Sequence, residues 1–248
     1  MHLVQRRAKG GLRSAAHFIW PSRSLVSGRH HGGIGLIAPE DFARLSFLGD
    51  SGCRQCALPL DTDLGEESLC GKCAAKPPRW DAARAALAYD DTSRKLVLDL
   101  KHAGRRDGLT TFASWMTQAA GDLLEEADLI VPVPLHYRRL VKRGFNQSGW
   151  LAQGLARKSG IPASIDTLVR RKPTPSQGGL SARERWRNVR AAFAVRDGAR
   201  ARIEGARILL VDDVFTTGAT LSACSLALRR AGAAHIGVVV LARVVRPS

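Results

Sequence analysis

Acidic residues are scarce in this chain. There are 22 Asp and Glu against 38 Lys and Arg in 248 residues, a formal net charge of +16. Residues 1–39 hold six Lys and Arg and no acid at all. A field of that sign disfavours cationic partners and favours anionic ones: phosphorylated metabolites, nucleic acid or an acidic membrane surface. Long apolar runs are also missing. No window approaches the ~18 to 20 uninterrupted apolar residues of a membrane-spanning helix, and the N-terminus shows no apolar stretch before a small-residue cleavage site, so a cytoplasmic protein is expected. Aromatics are few: five Trp and two Tyr offer little platform for stacking bases. No G-x-x-x-x-G-K-[ST] occurs, which excludes a P-loop NTPase, and GGIG at residues 32–35 is too short and isolated for a dinucleotide fingerprint.

What is present is enough for a core. At 45% hydrophobic residues, the chain can bury one full α/β domain plus a small accessory unit. Residues 1–45 are expected to form a basic, disordered segment; their early composition matches an organellar transit peptide equally well.

Four of the five cysteines fall in one window, CRQCALPLDTDLGEESLCGKC. Cys53, Cys56, Cys70 and Cys73 follow C-x2-C-x13-C-x2-C. Two cysteines three apart on a tight turn can face one metal, and two such knuckles complete a tetrahedral thiolate shell. Structural Zn2+ is therefore expected in a ribbon-like domain over residues 46–78; four thiolates would close the shell and leave no catalytic position. Cys224 stands apart, on a helical pattern, and reads as core packing.

Pro77-Pro78 punctuates the chain and marks a boundary. Beyond it, over residues 79–248, strands alternate with helices. ARAALAYDD reads as a strand, TSRKLVLDLKHAG and LTTFASWMTQAAGDLLEEA as helices, and DLIVPVPLH as a strand whose prolines demand an end or an edge. NQSGWLAQGLARKSG is a helix closed by Gly160, and Asn146 stands where it can cap it. An Arg-rich loop and short helix follow over 170–190. ARILLVDDV, TLSACSLALRRAGA and HIGVVVLARVV then read as strand, helix and strand. That alternation predicts a parallel sheet with helices on both faces.

The stretch ILLVDDVFTTGAT, residues 208–220, carries the chemistry. ILLV is an unbroken apolar run, as a strand buried on both faces should be. Ligands of open parallel sheets sit at the carboxyl ends of strands, where Asp212 and Asp213 fall. Thr216, Thr217, Gly218, Ala219 and Thr220 form the turn into the next helix. Such a turn can aim N–H groups at an anion, with the positive end of the helix behind them. The carboxylates suit hydroxyls or a metal ion. A phosphate beside a vicinal diol is a ribose 5-phosphate.

ILLVDDVFTTGAT resembles the phosphoribosyl-pyrophosphate (PRPP) motif of type I phosphoribosyltransferases. VPVPLHYRRLVKRGFNQ (131–147) and TPSQGGLSARERWRNVRAAF (174–193) are similar to signatures of the ComF family of phosphoribosyltransferase-like competence proteins, over roughly residues 53–245. The resemblance implies a type I phosphoribosyltransferase fold preceded by a zinc ribbon. That family's ribbon usually has two knuckle sets, and this chain shows one. It further implies that Asp212 and Asp213 contact ribose hydroxyls, that Thr216 to Thr220 hold the 5-phosphate, and that Mg2+ bridges pyrophosphate and ribose oxygens. Arg138, Arg139, Lys142 and Arg143 follow the VPVP strand, where a second loop can meet the pyrophosphate. The segment from Thr174 to Ser181 is a candidate lid. No residue identifies an acceptor base. Two functions fit: a Mg2+-dependent phosphoribosyltransferase, or a module that uses the same pocket and Arg183, Arg185, Trp186 and Arg187 to handle single-stranded DNA during DNA uptake.

Overall fold

The run from Arg207 to Phe215 forms the strand that organises the fold, with Ile208, Leu209, Leu210 and Val211 all buried. The computed structural model describes residues 22–32, 36–49, 52–60, 65, 68–102, 106–171 and 192–245. Residues 174–181 and the arginines of RERWRNVR therefore lie outside the described residues, as do residues 1–21 of the basic segment.

The chain divides into two compact units, Met1–Leu45 and Ser46–Ser248. In the first, β1 (Ser22–Arg23) pairs antiparallel with β2 (His30–His31), and Pro39–Phe42 forms the short helix α1. Buried Asp41 accepts hydrogen bonds from the Ser24 hydroxyl and the Ser27 amide. Those donors hold its carboxyl below the usual range.

The second unit runs α2 (Gly71–Ala75), β3 (Ala82–Ala88), α3 (Asp91–His102), α4 (Leu109–Ala120), α5 (Asp122–Glu125), β4 (Leu129–Pro132), α6 (Tyr137–Arg143), α7 (Gln147–Ser159), β5 (Leu168–Arg170), β6 (Phe193–Val195), β7 (Arg207–Phe215), α8 (Ala219–Arg230) and β8 (His235–Arg243). Among the described residues the central sheet has four strands in the order β3-β8-β7-β4, all parallel. The expected helix over 109–127 is broken at Gly121 into α4 and α5. Strand β4 stops at Pro132; Val133 still donates to the Val211 carbonyl at 2.8 Å, but Pro134 has no N–H with which to continue.

Helices cover both faces of the sheet. On one side α4 and α7 pack on the strands and on each other. Their approach is close: a Cβ on Gly154 would lie 2.8 Å from the Ala113 methyl, so only glycine fits there. On the other side Leu221, Cys224 and Leu228 of α8 join Ile208, Leu210, Val238 and Val240 in one cluster that also includes all four cysteines of the 53–73 window. The cysteine segment is thus part of this unit's core. Arg54 accepts from Ala83 of β3 at 2.8 Å, which ties the segment to the sheet edge.

From β4 the chain first moves outward, where Ala163 bridges Ile130 in parallel, and later returns inward to β7. The direction of winding therefore reverses between β4 and β7. The carboxyl ends of those two strands splay around a crevice.

Candidate functional site

The crevice is a hollow of about 380 Å³. Its walls come from the end of β4 (Val133 to Leu135), from α6 and α7 (Arg139, Arg143, Gln147, Ser148), and from β7 and the turn after it. Asp212, Asp213, Thr216, Gly218, Ala219 and Thr220 all line it. The structure thus brings the two acids and most of the expected phosphate turn to one surface. Thr217 does not line the hollow; its hydroxyl accepts from the Ala219 N–H at 3.5 Å.

Gly218 adopts φ 76° and precedes the first residue of α8, with no side-chain cap there. A Cβ at this position would meet the Phe215 and Trp80 rings at 2.9 Å. The glycine is therefore required twice over, by backbone conformation and by space. Its presence lets the turn sit flat on two aromatic rings with the start of α8 open to the hollow.

The two carboxylates differ in environment. Asp213 is buried, and Lys101 of α3 stands 3.3 Å from its Oδ1. Its Oδ2 is buried without a hydrogen-bond partner. Asp212 accepts from the Ser148 hydroxyl and from the Asp213 amide, both at 2.9 Å. Burial, and next the Asp213 charge, push the Asp212 carboxyl up to about 7. A pair of adjacent acids, Asp213 buried with one oxygen unpaired and Asp212 half-buried, is a donor set suited to a divalent cation or to ribose hydroxyls.

Of the four cations following β4, Arg139 and Arg143 line the hollow. Arg138 does not: it is exposed, and its Nε donates to the Tyr137 hydroxyl at 3.4 Å. Lys142 lies on α6, and its side chain lies outside the described residues. The physical reason is helical register, since residues four apart share a face and their neighbours are turned by about 100°. His136 caps α6 by accepting from the Arg138 amide at 3.3 Å. Burial, and next the charges of Arg170, Arg138 and Arg139, lower its pKa. Asn146 occupies the N-cap position of α7, but its side chain donates to the Val133 carbonyl at 3.1 Å instead of capping.

Sequence reasoning missed Lys101, Ser148 and Arg170. Arg170 ends β5, lies over the Phe193 ring at 5.2 Å and lines the hollow. No local pattern marks these three, because each reaches the hollow from a separate element. A larger cavity of about 460 Å³ lies along α8, between Phe193, Val195 and Leu226. It is more apolar, and Asp197 is the sole acid of its lining. The smaller hollow is the one with the paired carboxylates.

The cysteines form a second centre. Cys56 and Ala57 both donate to the Cys53 carbonyl, at 3.1 and 2.8 Å, which closes the first knuckle. Cys70 stands at the N-cap position of α2, without a side-chain cap, and Cys73 lies within the helix. All four Sγ atoms fall within 4.8 Å of one another, and Cys56 and Cys70 are 3.7 Å apart. Tetrahedral zinc with bonds of about 2.3 Å would set its sulfurs about 3.8 Å apart. The residues fit such an ion, and these four cysteines could hold a metal. The Cys53 thiol is pulled down by its hydrogen bond with Cys56, while burial pushes Cys73 up to about 12. Cys224 is fully buried beside α8's other core residues.

Comparison with known proteins bears on the hollow, which the matched family region largely contains. Residues 118–246 match the phosphoribosyl transferase domain family. A protein of Salmonella typhi called DNA utilization protein YhgH is 37% identical over 230 residues, covering 90% of this chain and 96% of its own. Competence protein F of Haemophilus influenzae is 35% identical over 179 residues, 70% of this chain and 78% of that one. Among solved structures, glutamine PRPP amidotransferase of B. subtilis aligns with 58% of this chain and 30% of its own, at 24% identity and a TM-score of 0.40. No helix among the described residues is long and apolar enough to cross a membrane.

Proposed function

The chain belongs to the phosphoribosyl transferase domain family, among its YhgH and competence-protein-F relatives, and on that premise we propose that the hollow binds PRPP or ribose 5-phosphate. The observation that carries the proposal is the shared surface of Asp212, Asp213 and the turn from Thr216 to Thr220. The turn offers amides and hydroxyls at the positive end of a twelve-residue helix to the 5-phosphate. The carboxylates accept from the ribose hydroxyls. Arg139, Arg143 and Arg170 supply fixed positive charge opposite them for the pyrophosphate.

Mg2+ suits this donor set, and Asp212 with Asp213 would hold it directly or through ribose oxygens; when bound it neutralises charge on the pyrophosphate. The reaction open to such a site is displacement at the anomeric carbon. The bond to pyrophosphate oxygen breaks, the pyrophosphate leaves with the electron pair, and a bond to an acceptor nucleophile forms. The protein's part is positioning and electrostatics.

Thermal denaturation with millimolar PRPP and Mg2+ tests the reading, since a ligand that binds the folded chain must raise its stability. The expected result is an upward shift that Asp212→Asn and Asp213→Asn abolish. No shift in the wild-type protein would remove the reading.

A second reading is favoured by the net charge of +16 and by the DNA-related names of the relatives. In it, the same protein handles single-stranded DNA in the cytoplasm during DNA uptake. Affinity for an oligonucleotide should then fall steeply with salt, survive Asp212→Asn and weaken when Arg183, Arg185 and Arg187 are neutralised together.

A further inference from the structure

Two side chains join the cysteine centre to the turn after β7. Arg243, the last residue of β8, donates its Nε to the Cys56 carbonyl at 2.8 Å. Its Nη1 lies 3.2 Å from the Phe215 carbonyl, 3.0 Å from that of Thr216 and 2.6 Å from that of Val244. The guanidinium also sits 4.1 Å from the centre of the Phe215 ring. Trp80, which is buried, donates its Nε1 to the Gln55 carbonyl at 2.6 Å and packs edge-on against Phe215 with centroids 5.5 Å apart. Phe215 and Trp80 are the two rings on which Gly218 rests.

Consecutive carbonyls of one knuckle, Gln55 and Cys56, are thus each gripped by a side chain that also grips the turn. That duplication is informative. The strong bonds from Arg243 go to backbone oxygens of the first CxxC knuckle and of the turn, so the guanidinium serves as a fixed fork between two backbones. The knuckle is a short turn, closed on itself by the Cys53 carbonyl. Tying its sulfurs to one ion would fix that turn further, and with it the direction of the Gln55 and Cys56 carbonyls.

We infer that a metal in the Cys53–Cys56–Cys70–Cys73 centre sets the conformation of the 216–220 turn through Arg243 and Trp80, which are positioning residues for the ribose-phosphate site. The inference rests on the ribose-phosphate reading for its functional consequence, but its structural content does not. Metal at the cysteines and phosphate at the turn then favour each other, and by linkage each raises the affinity of the other by the same factor. The element that both ligands would bias is the segment from Phe215 to Gly218, where Gly218 rests on two rings and the Arg243 guanidinium lies over one of them.

The test compares amide hydrogen exchange of the full chain loaded with Zn2+ and stripped by a chelator, and compares loaded Arg243→Lys and Trp80→Phe with loaded wild type. Phenylalanine keeps an aromatic ring against Phe215 but loses the donor and the Cη2 that faces Gly218; lysine keeps the charge and loses the fork. Stripping should speed exchange at 216–220 by about tenfold or more while residues 208–211 of β7 stay protected. Each loaded variant should show the same local change. In the loaded double variant, removing the metal should add little at the turn, because the wire is already cut. Unchanged exchange at 216–220 in the loaded variants overturns the inference, whether stripping leaves the fold intact or loosens all of it. Titration with ribose 5-phosphate separates the two proposals. If the turn responds as expected but the loaded protein binds no ribose 5-phosphate, the ligand reading fails and the coupling stands. If ribose 5-phosphate binds equally well to loaded, stripped and variant proteins, the coupling fails and the ligand reading stands.

Discussion

The Ser148 hydroxyl donates to Asp212 Oδ1 at 2.9 Å, joining the first turn of α7 to the end of β7. One wall of the hollow is thereby pinned to the opposite one, and the carboxyl that most needs orientation receives it from a residue 64 positions away.

Removing that hydroxyl should matter more for ligand than for fold. Ser148→Ala should cost about 1 kcal/mol of stability, the usual net worth of one hydrogen bond. Because the hydroxyl favours the charged carboxylate, the Asp212 pKa should rise further. Calorimetric titration with ribose 5-phosphate and Mg2+ should show weakened affinity whose deficit shrinks above pH 8. A deficit independent of pH would count against an orienting role.

Asp212 also gives the folded chain a pH signature. Its carboxyl titrates near 7 when folded, against about 3.9 unfolded. Between roughly pH 4 and 7 the folded chain holds a proton that the unfolded chain has lost, so this group's contribution to stability is full at low pH and is lost as pH rises through 7. Asp212→Asn cannot ionise yet still accepts from Ser148. Its melting temperature should exceed that of the wild type at pH 8 and approach it as the pH falls to about 4, where the unfolded carboxyl takes up its proton. A gap of equal size at both values would show that Asp212 does not titrate there.

Lys101 and Asp213 form a pair in which the acid is buried and the lysine half-buried. Lys101→Met leaves that carboxylate without its cation and should destabilise the chain by about 1–3 kcal/mol. Adding Asp213→Asn should restore part of the loss. Urea denaturation of the four-member cycle measures the coupling, and strict additivity would deny the pair.

Glycines 218 and 144 provide a matched comparison. Both have φ near 75°, but a Cβ at Gly144 meets nothing within 4 Å, whereas at Gly218 it meets two rings at 2.9 Å. Gly144→Ala should cost about 1–2 kcal/mol, the left-handed penalty alone. Gly218→Ala should cost more and should also abolish ligand binding. Equal losses would mean the rings can move aside.

Metal analysis of the purified protein should find about one Zn2+ per chain, as a single four-thiolate set requires. Cys70→Ser should lower that figure and, because the cysteines lie in the core cluster of the larger unit, should reduce the melting temperature of the whole unit. Metal loss without any change in melting would contradict the shared core.

Much of the site was legible along the chain wherever its parts are contiguous. The strand, the two acids and the turn lie within residues 208–220, so their spacing alone places them together. The cysteines are legible for the same reason, as two knuckles of fixed span. The cations after β4 were only half legible: a helix turns successive residues by about 100°, so Arg139 and Arg143 reach the hollow and Arg138 does not. Asn146 reads as a cap, yet the carbonyl of Val133 competes for it and wins.

By itself, the sequence determined the alternation of strands and helices, the metal-binding spacing and the acid pair at a strand end, because each is a short-range pattern of residue types. Tertiary structure alone decided that Lys101 and Ser148 would meet those acids, that Arg170 would line the same hollow, and that Arg243 and Trp80 would join the cysteine knuckle to the turn. Such partners are brought together by the order β3-β8-β7-β4 and by helix packing. Long-range contacts of that kind leave no periodicity in the chain, since it is burial of the whole sheet that selects them.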